Sequence, residues 1–336
     1  MNISLSSTKE IAEQLKKEFP KDAIGITGCR SSGDAHPPCE YDYLIVQDGI
    51  KRIERRLIKN NSIELLFLNK ESVQDFSDNM TILSLLNMNV ISDPSWDLIP
   101  IVYKIKEDTL KHLQQYAKNI LFKSLSFLGR FKDSIDVGNT LDAGFWLLSS
   151  ANSFAKAIIA LNGKVPHGSH LLNEFRTGIT VSSDMFEVLS ESSGVNLATK
   201  VAVTRRLDAL REILQIGSIF SNSTIFNGPK YAYKFTEAKS NYLVKSHEIV
   251  DAYFYLGLEI TRAIEELYEY KCRIKGKPPL FHEIFNQLNI NEKPLRKLSM
   301  QTIRLIGINS EEQILIEQSS RIKNLIQKVA KNSSSE

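Results

Sequence analysis

The spacing of hydrophobic and polar residues changes about one third of the way along the chain. Before that point, short apolar runs end at glycine, asparagine or charged residues, as buried strands do, and amphipathic helices lie among them. Residues 52–59 fit either a helix or one arm of a hairpin. The pattern predicts strands over 23–27, 43–46, 63–68, 89–92 and 98–103, and helices over 8–19 and 71–87.

Beyond residue 108 the strand signals nearly disappear. Apolar residues there recur three and four positions apart, which is the period of an amphipathic helix. The longest such stretch, 237–272, contains no proline and predicts one continuous helix. The other predicted helices are 109–128, 139–161, one that starts near 171, 198–220 and 311–331, with a turn over 161–168.

These patterns predict that strands and helices mix in the first part, which makes it α/β or α+β, and that an all-α part follows. We place a first domain over 1–107 and a helical domain over 108–332. The helical domain is expected to divide into two subdomains near residue 228, where an Asn-Gly-Pro sequence interrupts the helical pattern. We expect the polar tail 333–336 to be disordered.

The composition is that of a chain with substantial cores, since 42% of its 336 residues are hydrophobic. It has no run of 18 apolar residues, and its N-terminal stretch is polar, so we expect neither a membrane span nor a signal peptide. Cys29, Cys39 and Cys272 form no C-x-x-C pair. We therefore expect a cytoplasmic protein without membrane contact, and the sequence leaves a homodimer open.

Charge is distributed unevenly between the two parts. Residues 1–108 carry 13 Lys and Arg against 17 Asp and Glu, and the remaining residues carry 29 against 22. The stretch 271–304 holds eight basic residues and two acids, which is typical either of a solvated face or of a surface that binds a polyanion such as RNA. Four aromatic residues near this stretch could stack on bases, although at helical spacing such residues more often belong to a core: Tyr268, Tyr270, Phe281 and Phe285.

Two acids, Glu40 and Asp42, lie one residue apart at the start of the predicted strand 43–46. Residues two apart on a strand share a face, and two carboxylates that close repel each other unless a cation lies between them. A hard divalent ion, Mg²⁺ or Mn²⁺, meets that need because it prefers oxygen ligands. Glu64 heads the next strong strand, and it adds a third carboxylate if the two strands are neighbours. Three such acids can hold the metal ions of a phosphoryl-transfer site.

A glycine turn precedes these acids. It follows a predicted strand and opens a short helix, whose first backbone N–H groups are suited to bind phosphate. Small side chains let a triphosphate approach the main chain, and an arginine can add a charge-assisted contact. The candidate nucleotide-binding residues are Gly28, Cys29, Arg30, Ser32 and Gly33. A phosphate-binding turn opposite a carboxylate metal site indicates nucleotidyl transfer.

Taken together, this stretch resembles the signature of the DNA-polymerase-β-like nucleotidyltransferase superfamily, in which Gly-Ser, ten residues and an acid-x-acid triplet precede an apolar strand. The resemblance extends over about residues 22–102, and it implies an α+β fold, in which a small domain with a mixed sheet precedes an all-α helical domain. Cys29 replaces the usual serine and Glu40 the usual aspartate, so a catalytically inactive relative remains an alternative. The matching residues are Gly28-Cys29, the ten residues 30–39, Glu40-Tyr41-Asp42 and Leu44-Ile45-Val46.

The resemblance implies an enzyme that moves a nucleoside monophosphate from an NTP to a hydroxyl or phosphate acceptor, with release of pyrophosphate. Glu40, Asp42 and Glu64 would be its metal-binding and catalytic residues. The acceptor, a small molecule, a protein or RNA, is not determined. The alternative is a non-catalytic nucleotide- or RNA-binding regulator of the same fold.

Residues 144–175 resemble the helical hairpin of kanamycin-type nucleotidyltransferases. That resemblance suggests two acids as candidates for a general base, Asp142 and Glu174. It also suggests three side chains that could reach a triphosphate: Lys164, His167 and His170.

Overall fold

The structure is a computed structural model that describes residues 3–49, 51–58, 61–75, 79–177, 182–219, 229–291 and 296–332. The predicted break at 227–228 and the predicted disordered tail 333–336 lie outside the described residues. The chain divides into two compact units, residues 1–114 and 115–336. The boundary predicted after residue 107 and the division near 228 stay predictions.

The first unit is built on a five-stranded mixed sheet with the strand order β3-β4-β2-β1-β5. Strands β2 and β4 run parallel, and the other neighbouring pairs are antiparallel. The strands are β1 (Ala23–Thr27), β2 (Tyr41–Val46), β3 (Arg52–Ile58), β4 (Asn61–Leu68) and β5 (Asn89–Ser92). The helices are α1 (Ile3–Glu18), α2 (Gly28–Ser32), α3 (Lys70–Gln74), α4 (Asn79–Leu86) and α5 (Ile99–Glu107).

Alternating residues of β2 and β4 separate an apolar core from the functional face of the sheet. Tyr41 and Tyr43 of β2 lie in the core with Ile63 and Leu65 of β4, and Leu15 of α1 belongs to the same cluster. Because successive side chains of a strand point to opposite faces, residues 42 and 64 project from the other face. The period of the strands thus fixes where the carboxylates point.

Two predictions for the first unit are wrong. Residues 98–103, predicted as a strand, belong to helix α5. The carboxylate of Asp93 accepts hydrogen bonds from the backbone N–H groups of 97, 98 and 99, at 2.9, 3.0 and 2.7 Å, and so satisfies donors at the start of this helix. Residues 71–87 form two helices, α3 and α4, instead of one. Of the ambiguous stretch 52–59, the described residues Arg52–Ile58 form the strand β3, which confirms the hairpin alternative.

The second unit consists of helices, with two short 3₁₀ segments at Gly168–His170 and Val195–Leu197. Its first helix, α6, begins before the boundary at residue 114. The helices are α6 (Thr109–Asp136), α7 (Thr140–Leu161), α8 (Leu171–Thr177), α9 (Ser183–Ser192), α10 (Lys200–Gly217), α11 (Pro229–Lys245), α12 (Ile249–Ile274), α13 (Ile284–Asn289), α14 (Met300–Ile306) and α15 (Glu312–Asn332). The predicted α+β class, a mixed sheet followed by helices, is confirmed.

Helix α7 forms the centre of the second unit. Among the described helices, it alone is long and apolar enough to cross a membrane, but 89% of its most apolar window is buried inside the protein. Trp146 on this helix is 1% exposed and stacks on Phe127 of α6, with ring centroids 5.4 Å apart. A helix that is apolar all round and packed on all sides is typical of the core of a soluble protein.

The single helix predicted over 237–272 is wrong, because the chain breaks between α11 and α12. His247 adopts a left-handed conformation, with φ 65°, and the N–H of Glu248 donates to the carbonyl of Leu243 at 2.8 Å. This is the type of C-terminal helix cap usually made by glycine. No glycine or proline marks the break in the sequence, so the break could not be predicted from the helical period.

Candidate functional site

Four polar side chains form one row across the functional face of the sheet. In the strand register, Arg55 of β3 pairs with Glu64 of β4, Glu64 with Asp42 of β2, and Asp42 with Thr27 of β1. Neighbouring strands are about 4.8 Å apart, and paired residues project to the same side. Asp42 and Glu64 are therefore direct cross-strand neighbours, which is the arrangement on which the proposed third carboxylate depended.

The glycine turn lies directly against Asp42. Gly28 has φ +70°, and a Cβ added at this residue would lie 2.3 Å from Asp42 Oδ2. Both the backbone conformation and the lack of a side chain are therefore needed for the carboxylate to occupy this position. The side chain of Thr27 next to it is 7% exposed and donates to the carbonyl of Ser84 at 2.7 Å, which ties the end of β1 to α4.

The Gly28→Ala variant should be less stable than Gly33→Ala, which is a matched control. Both glycines have positive φ, so each alanine is strained by about 1–2 kcal/mol, but a Cβ at Gly33 meets nothing within 4 Å. At Gly28 the contact with Asp42 adds to this strain. Urea unfolding should show a larger loss of unfolding free energy for Gly28→Ala, and equal losses would contradict the close approach.

Glu64 is held by Arg55, a residue that the sequence analysis did not identify. Arg55 Nε lies 2.7 Å from Glu64 Oε2, and the side chains of Arg55 and Glu64 are 9% and 28% exposed. A half-buried ion pair of this kind orients the carboxylate and offsets its repulsion from Asp42.

Glu40 lies immediately before β2, and one of its carboxylate oxygens is buried. Its backbone carbonyl accepts a hydrogen bond from Arg30 Nε at 3.2 Å. Glu40 is thus at the mouth of the strand that carries Asp42. That it shares a metal ion with Asp42 and Glu64 stays a prediction.

Arg30 organises the segment between α2 and β2. Its Nη2 atom donates to the carbonyl of Pro37 at 3.0 Å and to the carbonyl of Cys39 at 2.5 Å. Its Nε atom also donates to the carbonyl of Cys39. Its guanidinium lies 3.9 Å from the centre of the Tyr41 ring. These contacts show a structural role for Arg30, and the phosphate contact expected from the sequence stays a prediction.

The rest of the glycine turn forms the short helix α2, as predicted. Cys29 is buried, and its carbonyl accepts from Ser32 Oγ at 3.1 Å and from the N–H of Asp34 at 3.0 Å. Gly33 ends the helix with φ 87°. Because Cys29 is buried, any phosphate contact at this turn would depend on backbone N–H groups at the start of α2.

The donor set fits a hard divalent cation. Asp42 and Glu64 supply carboxylate oxygens on adjacent strands, Glu40 lies two residues before Asp42, and Gly28 leaves the space that the Asp42 carboxylate occupies. Oxygen donors of this kind suit Mg²⁺ or Mn²⁺. A bound ion would neutralise the carboxylates and polarise phosphate oxygens.

The structure does not support Asp142 as a general base. Asp142 is fully buried, and it accepts hydrogen bonds from Asn139 Nδ2 at 2.7 Å and from the N–H of Phe285 at 3.2 Å. It therefore joins α7 to the start of α13 and has no surface that a substrate could reach. Glu174 is half-buried and accepts from the N–H of His167 at 3.3 Å, and its role stays a prediction.

The side chains proposed to reach a triphosphate differ in exposure. Lys164 is exposed, His167 is half-buried and His170 is 5% exposed. The rings of the two histidines are 6.5 Å apart. Burial makes His170 the least suited of the three to meet a ligand from solvent.

The basic stretch 271–304 is only partly a surface. Lys271 is 3% exposed and donates to the carbonyls of Gln287 and Ile290, at 2.7 and 3.3 Å, where it caps the end of α13. Tyr268 and Phe285 are 1% and 3% exposed, so they belong to the core, which was the favoured alternative, and cannot stack on bases. RNA binding through the exposed basic residues of this stretch stays a prediction.

No protein-family profile and no curated protein sequence matches the chain. Among solved structures, the chain is similar to a nucleotidyltransferase-like protein from Exiguobacterium sibiricum 255-15, with 9% sequence identity, a TM-score of 0.36, and coverage of 80% of this chain and 92% of that chain. At this identity and TM-score the similarity transfers neither a site nor an activity.

Proposed function

We propose that the protein is a divalent-metal-dependent nucleotidyltransferase. The observation that carries the proposal is the cross-strand pairing of Asp42 with Glu64, with Gly28 in close approach to Asp42. Paired carboxylates facing a glycine turn are what a metal–triphosphate complex requires on its two sides. Every residue of this arrangement comes from the first unit.

In the proposed reaction, a hydroxyl or phosphate oxygen of the acceptor attacks the α-phosphorus of an NTP. The bond from that phosphorus to the bridging oxygen breaks, and pyrophosphate leaves. Asp42 and Glu40 would hold the divalent ion, which would neutralise phosphate charge when bound, and the backbone N–H groups at Gly28 and Cys29 would orient the phosphates. Glu64, oriented by Arg55, would either complete the metal site or accept the proton of the attacking hydroxyl.

The contacts of Arg30 support an indirect role in the same site. By donating to Pro37 and Cys39, Arg30 fixes the segment that leads from the glycine turn to the acid pair. We therefore assign to Arg30 the positioning of that segment. Ser32 and Gly33 shape the end of the turn, since Ser32 Oγ donates to the Cys29 carbonyl and Gly33 ends α2.

A second candidate function is supported by the ion pair between Arg55 and Glu64. An arginine that neutralises the third acid weakens the case for a two-metal centre, and it is compatible with a protein that binds nucleotide without transferring it. This alternative keeps the same turn and the same Asp42. It differs from the first function only in that no nucleoside monophosphate is transferred.

One experiment separates the two functions. The protein is incubated with NTPs labelled at the α-phosphate, Mg²⁺ and a cell extract divided into small-molecule, protein and RNA fractions. We expect covalent label in one fraction together with pyrophosphate release, and neither in EDTA. Mg²⁺-dependent NTP binding without transfer would support the second function, and no Mg²⁺-dependent binding would overturn both.

A further inference from the structure

The second unit contains a buried cation that has no carboxylate partner among the described residues. Arg206 of α10 is 1% exposed, Nε donates to the carbonyl of Ile306 at 2.9 Å, and Nη1 donates to the carbonyl of Tyr253 at 2.7 Å. Its guanidinium lies 3.4 Å from the centre of the Tyr253 ring. Burial lowers the pKa of Arg206 to about 10, so it is positively charged at neutral pH.

A buried charge normally has a counter-ion, because removing it from water is expensive unless it is paired. Carbonyl oxygens and an aromatic ring solvate the guanidinium of Arg206 but carry no net charge. Within the part of the chain that the structure describes, Nη2 makes no hydrogen bond. The fold even makes room for this cation, since a Cβ at Gly257 would lie 2.8 Å from Nη1.

Arg206 lines a partly open pocket of the second unit. Ser192, the last residue of α9, lines the same pocket. Its hydroxyl is buried and, among the described residues, has no hydrogen-bond partner. A buried hydroxyl without a partner is unfavourable, and such groups in native structures call for an unseen ligand, ion or water.

The one carboxylate that lines the pocket does not serve Arg206. Glu191 Oε2 lies 2.5 Å from Arg321 Nη1, and Arg321 also contacts Asp184 and Glu187, at 3.6 and 3.1 Å. That cluster therefore balances the charge of Arg321. No described carboxylate balances the charge of Arg206 in this way, so a group bound in the pocket would have to do so.

We propose that this pocket is a binding site for a small oxyanion, a carboxylate or phosphate group, held by Arg206 Nη2 and Ser192 Oγ. Both groups donate hydrogen bonds, and an oxyanion accepts both with its negative charge beside the guanidinium. The proposal goes beyond the nucleotidyltransferase reaction and uses only residues of the second unit.

The test uses thermal unfolding and calorimetric titration of the full chain with acetate and with inorganic phosphate, at constant ionic strength maintained with chloride. We expect a saturable rise in Tm and a measurable Kd with at least one of them, since a ligand that binds only the folded state stabilises it. A response to acetate alone or to phosphate alone identifies which oxyanion the site prefers. No saturable response to either would overturn the proposal.

Variants of Ser192 separate this pocket from other anion sites and avoid removing Arg206, which two backbone contacts tie to the fold. Ser192→Ala should weaken binding about tenfold or more, through loss of one charge-assisted hydrogen bond. Ser190→Ala is the matched control, because Ser190 lies on the same helix with a buried, unpartnered hydroxyl but does not line the pocket. Ser192→Asp supplies a resident carboxylate, so it should abolish binding. Equal affinities for wild type, Ser192→Ala and Ser192→Asp would overturn the assignment.

Discussion

Replacing Asp42 by asparagine is expected to lower metal-dependent nucleotide transfer by more than about a hundredfold, with little change in folding. Asparagine keeps the shape that fits against Gly28, but it removes the charge that would hold a divalent ion. Without metal, Asp42 and Glu64 are like charges on adjacent strands, so Asp42→Asn should also raise the unfolding free energy by a few tenths of a kcal/mol.

Loss of function with unchanged or increased stability would distinguish a metal site from an ordinary structural carboxylate. The matched control is Asp48→Asn, an exposed aspartate just beyond the same strand, which should leave both quantities unchanged. The measurements are the initial rate of transfer, Mg²⁺-dependent NTP affinity and urea unfolding. If Asp42→Asn retained wild-type affinity and rate, Asp42 would have no part in the site.

The central part of the site could be predicted from the sequence because local signals fix it. Apolar runs located β1, β2 and β4, and the glycine turn before β2 needs only a short stretch of chain to be recognised. The sequence alone could not show that β2 and β4 are neighbours. That depends on the strand order of the whole sheet, and only the structure shows Asp42 opposite Glu64.

Residues missed from the sequence act through contacts distant along the chain. Arg55 lies on a charged strand that reads equally well as a helix, so its pairing with Glu64 had no local signature. Arg206 occupies one position of an amphipathic helix, where an arginine is usually solvated. Its burial is set by α12 and α14, which follow it in the chain, and periodicity says nothing about such partners.

Asp142 shows how burial, which a sequence reports poorly, changes the chemistry of an acid. Burial raises the pKa of its carboxyl to about 7, against the opposing effect of hydrogen bonds from Phe285, Ile284 and Asn139, and Glu283 adds repulsion. The same acid in an unfolded chain has a pKa of about 3.9. The folded state therefore holds a proton on Asp142 that the unfolded state releases.

The unfolding free energy of wild type should consequently fall as pH rises between about 5 and 8. A folded pKa above the unfolded one gives stability that is complete below the unfolded pKa and is lost as pH rises through the folded pKa, with a slope of up to about 1.4 kcal/mol per pH unit. Asp142→Asn has no proton to release at this position. The variant loses part of the hydrogen bonding to Asn139 and Phe285, and the unfolding free energy lost in this way is the same at every pH.

The measurement is therefore the difference in unfolding free energy between wild type and Asp142→Asn, taken by urea unfolding at several values from pH 5 to pH 8. Subtracting the variant removes the contributions of all other titrating groups that the two proteins share. We expect the advantage of wild type over the variant to shrink steadily across this interval and to level off above it. A difference that stays constant would mean that Asp142 is already ionised at pH 5, with its charge stabilised by the two donors that contact it.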